Sequence, residues 1–399
     1  MIDTITVIDA PCGEGKTTAM ISYLNAHPEI PFIYISPLIK TVEDITKQLS
    51  QRNAKAPQRD AKTKKQNFLD LLDAGENIVE THQLFLRFTE DDINTIHAKG
   101  YTLIIDEALD VIQKFNSVVD KSEQVQKGTI AQWIDNNQII VDEKTKIVSW
   151  NDKEYEDHNF PTFINCTKHH ALLYINGNVL MWHFPPKVLQ VFDNIFVLTY
   201  RFESSFLKCY FDLYGFNYQL MSVVQSDEGY RFSEYVSDSD FRQKNKNLIN
   251  IYEGKLNDLG NSWYSLSANW QRKHQKSQKM QLLNNIRNYL EYVKKAKSQD
   301  VIWTVFKNNA DEDDFSFSFG KKPTNPKIKG YTNRFLSSNS KATNDYRDTS
   351  VLAYGINKFC DKNIINFFKD QKLDFNQNAY ALSEMLQWIF IVNDINICA

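Results

Sequence analysis

Eight residues near the start of the chain, Ala10-Pro11-Cys12-Gly13-Glu14-Gly15-Lys16-Thr17, have the types and spacing that hold a phosphate. Gly13 and Gly15 let successive backbone N–H groups turn inward around an anion. A helix opening at Lys16 presents its positive end to the same point. Lys16 supplies a mobile cation for β- and γ-phosphates, and the Thr17 hydroxyl is placed for Mg²⁺. The pattern A-x-x-x-x-G-K-T departs from the general phosphate-loop form only in Ala10, which stands where the first glycine is expected. The candidate nucleotide contacts are therefore Pro11, Cys12, Gly13, Glu14, Gly15, Lys16, Thr17 and Thr18. A chance Gly-Lys-Thr turn capping an ordinary helix is the competing explanation. The β-branched run Ile5-Thr6-Val7-Ile8 before the loop argues against it, because the motif needs a strand, a loop and a helix in that order.

A second constellation complements the first. Thr102-Leu103-Ile104-Ile105 is an apolar strand that ends in Asp106-Glu107. Cleavage of a nucleoside triphosphate needs one carboxylate to hold Mg²⁺ and another to polarise the attacking water. Asp106 suits the first role and Glu107 the second. Alone, such a pair is usually a helix start with favourable acids; downstream of a phosphate loop the chemical role is the better explanation.

The elements that must position these groups alternate in type. Strands are predicted over 31–36, 77–80 and 101–105, with helices over 41–49 (capped by Thr41), 66–72 and from Thr81 onward. That rhythm predicts a parallel sheet covered by helices on both faces. It changes after about residue 117. Hairpins are predicted over 138–150 and 171–183, the second turning on Asn176-Gly177, so 117–184 reads as a β-rich insertion. A helix over 186–192, a strand over 195–199 and a helix over 204–214 follow. The polar stretch 227–245 is the candidate boundary. Beyond it, strands are predicted near 248–252, 301–306 and 350–354, a long helix near 270–297 and a last one over 380–390.

A chain of 399 residues exceeds what a single core usually supports. Hydrophobic residues make 42% and charged residues 24%, values of an ordinary soluble globular protein. No apolar run approaches the roughly 20 residues that span a bilayer, and the chain opens directly on a strand, so no membrane association and a cytoplasmic location are expected. The five cysteines lack C-x-x-C spacing, which points to free thiols. Net charge is 46 − 49 = −3, yet its distribution leaves room for nucleic acid. Residues 40–65 carry eight basic and three acidic side chains, and 320–343 carry six basic and no acidic ones. Tyr331, Arg334 and Phe335 lie in the latter stretch, where aromatics among cations suit a single-strand groove; packing of Tyr331 and Phe335 into a core is the alternative.

With these motifs in place, the sequence resembles the superfamily-two DEAD/DEAH-like helicases, in particular small proteins of phages and other mobile elements. The likeness is carried by APCGEGKT (10–17) and IIDEAL (104–109), and more loosely by ISPLIKT (35–41), ETHQLF (80–85), FVLTY (196–200) and NSKATNDYRD (339–348). It implies an α/β protein of two RecA-like parallel-sheet domains of the phosphate-loop NTPase type. The first would span 1–235 and the second, truncated, 236–399, with ATP–Mg²⁺ in the cleft and nucleic acid, single-stranded or duplex, across the tops. DNA is favoured over RNA. By position in these motifs, Pro37, Thr81, His82 and Thr343 are implied strand contacts, Thr199 couples hydrolysis to movement, and Asp345 and Gln387 touch nucleotide.

The sixth motif departs from the pattern. Gln387 stands in its glutamine position, but no arginine follows Arg347. An arginine finger contributes roughly 10³–10⁵ in turnover, or about 4–7 kcal/mol of barrier. The expectation is a helicase-like ATPase of weak turnover unless Arg334, Arg347 or a protein partner supplies the arginine. The alternative is a nucleotide-gated binding module, in phage replication or host defence, with little turnover.

Overall fold

The computed structural model describes residues 4–390 except 60–61, 89–92, 120, 152–158, 228, 248, 274–275, 308–324, 339–345 and 347. It resolves into two compact units, one of residues 1–10, 15–235 and 361–375, the other of 11–14, 236–360 and 376–399.

The first unit is built on a seven-stranded sheet. Its strands are β1 (Ile5–Asp9), β2 (Phe32–Ser36), β3 (Ile78–Thr81), β4 (Thr102–Asp106), β10 (Asn194–Thr199), β11 (Tyr218–Ser226) and β12 (Gly229–Glu234), in the order β12-β11-β1-β10-β4-β2-β3. All neighbours pair in parallel except β11 and β12. The central strands are apolar at nearly every position because both faces are covered. Alternate residues serve opposite cores. Ile33, Ile35, Leu103 and Ile105 face one with Phe68, Leu72 and Phe85. Tyr34, Ile104, Ile8 and Leu198 face the other with Met20 and Leu24 of helix α1 (Lys16–Ala26) and Val42 and Ile45 of the helix Ile39–Gln48.

Between β4 and β10 lies the insertion. It holds β5 (Ile112–Lys114), β6 (Ile139–Val141), β7 (Val148–Trp150), β8 (Leu172–Ile175) and β9 (Val179–His183), all antiparallel pairs, together with the helices Lys127–Asp135 and Pro161–Lys168. Asn176 and Gly177 both take positive φ, 54° and 63°, as the tight turn between β8 and β9 requires.

The second unit contains a parallel pair, β13 (Val301–Thr304) and β14 (Val351–Tyr354), packed with Tyr289, Leu290, Ile328 and Tyr331 on one side and Trp388 of the last helix, Gln377–Ile389, on the other.

Several expected elements differ. Thr41 caps nothing: the helix starts at Ile39, two residues after Pro37, from Leu38 without a side-chain cap. Residues 249–252 form no strand. In place of a single helix over 270–297 there are Ala268–Lys273 and Lys276–Asn288, and the latter widens into a π turn at Tyr289–Val293 that seats Leu290 in the core. The polar stretch after residue 226 carries the edge strand β12, from which Tyr230 reaches Gly15 and Phe232 packs on Tyr23 and Phe196. The helix Lys362–Asp370 belongs to the first unit. Its Ile364, Phe367 and Phe368 pack on Ile112, Leu173, Ile175, Met181 and Cys209, and Lys114 pairs with Asp361 at 2.6 Å.

Glu80 sits on β3 with 2% of its surface exposed and neither carboxyl oxygen hydrogen-bonded. Burial pushes its pKa well above the carboxylate range, against a weaker pull from Lys64. Folding therefore retains a proton that the unfolded chain releases above about pH 4.3, and stability falls as pH rises from there. Glu80→Gln should raise the melting temperature at pH 7 and lose that advantage below about pH 4, as read by thermal unfolding across pH.

Candidate nucleotide site

The carboxyl ends of β1, β10 and β4 converge because β10 lies between the other two, pairing Asp9 with Thr199 and Leu198 with Asp106. The loop after β1 follows a path that glycine makes possible. Gly13 and Gly15 have φ of 85° and 79°, and Gly15 is the left-handed N-cap of α1, with no side chain bonded to the helix start. A glycine in this position has no side chain to cap the helix start, an arrangement that suits an anion. A Cβ at Gly15 would lie 2.3 Å from Cδ1 of Tyr230, so the ring on β12 closes the outer side of the loop.

Lys16 is buried, and its Nζ donates to the Ala10 carbonyl at 2.6 Å, across the mouth of the loop. The Thr17 hydroxyl lies near enough to the Asp106 carboxylate to favour its charged form. The Tyr34 hydroxyl, reaching over from β2, donates to Asp106 Oδ2 at 3.1 Å. Burial, followed by the charge of Glu107, pushes Asp106 up to about 7. Lys16 and the hydrogen bonds from Tyr34 and Thr17 pull the other way. Burial and the Asp106 charge push the Tyr34 phenol well above its ordinary value, so it stays a donor.

Glu107 has φ +68°, a conformation rare for a non-glycine residue and common at functional sites. Its N–H is tied to the Leu198 carbonyl at 2.8 Å. Glu107 is 9% exposed, and its Oε2 is buried without a hydrogen-bond partner in the protein. Asp9 closes the base of the site. Its two carboxylate oxygens accept the N–H groups of Arg201 at 2.7 Å and Phe202 at 3.1 Å, tying the segment after β10 to the strand that enters the phosphate loop. Arg201 follows β10 at a left-handed φ of 60°.

The residues therefore fit a Mg²⁺-bound nucleoside triphosphate. The glycine cradle and the positive end of α1 suit the phosphates, Lys16 suits their charge, and Thr17 with Asp106 offers the small set of oxygens that Mg²⁺ takes when phosphate completes its shell. Among the described residues no group of three or more His, Cys, Asp or Glu could hold a metal by itself.

Pro37 and Thr81 follow or end β2 and β3, on the same carboxyl edge, with Ser36 paired to Thr81. Thr81 Oγ1 accepts from Leu84 N–H at 3.4 Å and so caps the short helix His82–Phe85. Thr199 is buried at the end of β10. The assignments in the second unit change. Tyr331 lies in the core, with its hydroxyl on the Ala296 carbonyl at 2.8 Å and its own carbonyl taking Trp303 Nε1 at 2.8 Å, so its ring is not offered to a strand. Arg334 is spent on the Val301 and Gln299 carbonyls, at 2.7 and 2.8 Å, and on Thr349 Oγ1 at 3.2 Å. It braces the start of β13 and is committed neither to a strand nor to a phosphate. Gln387 lies on the last helix with Oε1 buried and unbonded. Thr343, Asp345 and Arg347 are outside the described residues. Sequence reasoning missed Tyr34, Asp9, Tyr230 and Arg201; only Asp9, an acid ending an apolar strand, carried a signal.

Residues 3–150, which hold the phosphate loop and the acid pair, match the DEAD/DEAH box helicase family. Residues 243–393 match the YonV C-terminal Rossmann-like domain. The chain thus joins a helicase-type domain to that second domain. It is 32% identical to the SPbeta prophage-derived uncharacterized protein YonV of Bacillus subtilis (strain 168), over 98% of this chain and 92% of that protein, and it belongs to the YonV family. Solved structures of an XPD helicase (TM-score 0.43, 10% identity, 100% of this chain and 91% of that one) and of S. tokodaii Xpd4 (0.42, 13%, 99% and 90%) are also similar to it. Among the described residues no helix is long and apolar enough to cross a membrane.

Two variants test the geometry. Tyr34→Phe removes the donor that orients Asp106. It should weaken Mg²⁺ affinity in the nucleotide complex by about 10–100-fold while leaving Mg²⁺-free nucleotide binding unchanged, read by Mg²⁺ titration. Gly15→Ala combines an unfavourable φ, worth about 1–3 kcal/mol, with the Tyr230 clash. It should weaken nucleotide binding measured by calorimetry by more than the roughly 5–150-fold that the φ strain alone gives, and pairing it with Tyr230→Ala should recover only the part due to the clash.

Proposed function

We propose that this protein is an ATP-dependent, helicase-like nucleic-acid motor whose phosphate loop and acid pair bind ATP–Mg²⁺. The observation that carries the reading is the meeting of Lys16, Thr17 and Asp106 beside a strained Glu107 with an unbonded carboxylate oxygen. In this reading the amides of residues 13–17 and Lys16 bind the phosphates. Thr17 and Asp106 hold Mg²⁺, which neutralises phosphate charge and polarises the γ-phosphoryl group. Tyr34 fixes the Asp106 rotamer, and Glu107 accepts a proton from the attacking water.

The family match supports nucleic acid as substrate, with Pro37, Thr81 and His82 at the sheet edge as contacts in the first unit. Thr199, between the phosphate loop and the acid pair, would carry the nucleotide state to that edge. The second domain is taken as 236–399, RecA-like in kind, with Gln387 and Asp345 as the residues that the helicase motifs assign to nucleotide. Because Arg334 is engaged within its own unit, Arg201 is our candidate for the arginine acting on the γ-phosphate in cis. Without such a contribution, from Arg201 or from a partner, the chain would act as a nucleotide-gated binder of slow turnover. The kinship with a prophage-derived protein fits a phage setting inside the cell.

Steady-state ATPase measurements with and without single-stranded DNA or RNA test the reading. Stimulation by a strand is expected. Lys16→Ala should abolish ATP binding, while Glu107→Gln should keep ATP bound and slow turnover by about 10²–10⁴-fold. Unchanged turnover in both variants would overturn the assignment.

A further inference from the structure

We propose that Trp263, Tyr264 and Phe359 form a platform on which the bases of a single-stranded nucleic acid stack, at the carboxyl edge of the second unit's parallel strands. The proposal rests on the nucleic-acid reading above and names residues that none of the matched motifs contains.

Trp263 and Tyr264 expose 56% and 59% of their surfaces, and the half-buried Phe359 lies 6.1 Å and 5.8 Å from their ring centres. Adjacent aromatics left in water give up burial that a core would use, and here the backbone is arranged to keep them there. Ser265 N–H bonds back to the Ser262 carbonyl at 2.9 Å, and the two serine hydroxyls meet at 2.7 Å. Leu266 follows at φ +60°, an unfavourable conformation that turns its own side chain toward the core while the two rings point outward. Asn357 then fastens the turn, with its N–H on the Leu266 carbonyl and its Nδ2 on the Trp263 carbonyl, each at 3.1 Å.

Asn357 lies three residues beyond the end of β14, so the rings sit where parallel α/β sheets gather their ligands. The sequence that follows the rings is suited to a polyanion: residues 263–280 contain four lysines or arginines and no acidic residue. Exposed π faces in a basic, Ser- and Asn-rich segment match the chemistry of unpaired bases on a phosphate chain. In a duplex those faces are already stacked, which selects the single strand.

The test uses the full-length protein and fluorescence anisotropy with labelled oligothymidylate, oligouridylate and an abasic deoxyribose-phosphate strand of equal length. The variant Trp263→Ala/Tyr264→Ala should bind oligothymidylate, oligouridylate or both about tenfold or more weakly than the parent. It should bind the abasic strand as the parent does, and Trp263→Phe/Tyr264→Phe should restore most of the affinity. Which oligonucleotide shows the loss separates DNA from RNA. Equal binding of both base-bearing strands by parent and alanine variant would overturn the platform and leave the helicase reading intact, as would an equal loss on the abasic strand. A parent that binds ATP but no strand would overturn both and turn the rings into a docking face for protein.

Discussion

Asp106 is a carboxylate held out of water at the end of a strand buried on both faces, and the first unit is organised around keeping it there. A buried charge costs several kcal/mol unless it is paired and hydrogen-bonded. Here the compensation comes from three directions: the Tyr34 phenol on β2, the Thr17 hydroxyl at the start of α1, and the Lys16 ammonium. Each reaches Asp106 only because the sheet order places β4 beside β2 on one side and, through β10, near β1 on the other. Even so, burial and the neighbouring Glu107 leave Asp106 at about 7. Such a site gains from a divalent cation more than a satisfied ion pair would, which is why a carboxylate so placed suits the Mg²⁺ role proposed for it.

The same arrangement accounts for the strain nearby. Glu107 and Arg201, in left-handed conformations, each follow one of the two adjacent strands, and each backbone N–H is caught by a neighbour, Leu198 for Glu107 and Asp9 for Arg201. The turn-forming geometry is thus held by the sheet itself. Tyr230 and Phe232 extend this support from the edge strand β12, Tyr230 against Gly15 and Phe232 against Tyr23 of α1.

What the sequence makes legible is what depends on neighbours along the chain. The strand, the two-glycine loop and the helix start are contiguous, and so are the apolar strand and its acid pair; the Asn176-Gly177 hairpin is likewise local. The illegible parts depend on distance. Tyr34 reads as one more strand aromatic until its partner, 72 positions on, is beside it, and Asp9 meets its partners 192 and 193 positions away. The helix Lys362–Asp370 shows apolar residues at helical spacing, Ile364, Phe367 and Phe368, but nothing local says that they serve the first unit. Composition also misleads in the second unit. Tyr331 and Arg334 look like a basic aromatic groove, whereas the ring fills a core and the guanidinium satisfies carbonyls. The rings that do face water, Trp263 and Tyr264, lie in a stretch that reads as an ordinary polar turn.

The most direct check of the central claim is a crystal structure with a non-hydrolysable ATP analogue and Mg²⁺. The account predicts the β-phosphate among the amides of residues 13–17, Lys16 Nζ withdrawn from the Ala10 carbonyl to the phosphates, and Mg²⁺ between Thr17 and Asp106. A nucleotide bound elsewhere, or an empty loop at saturating analogue, would contradict it.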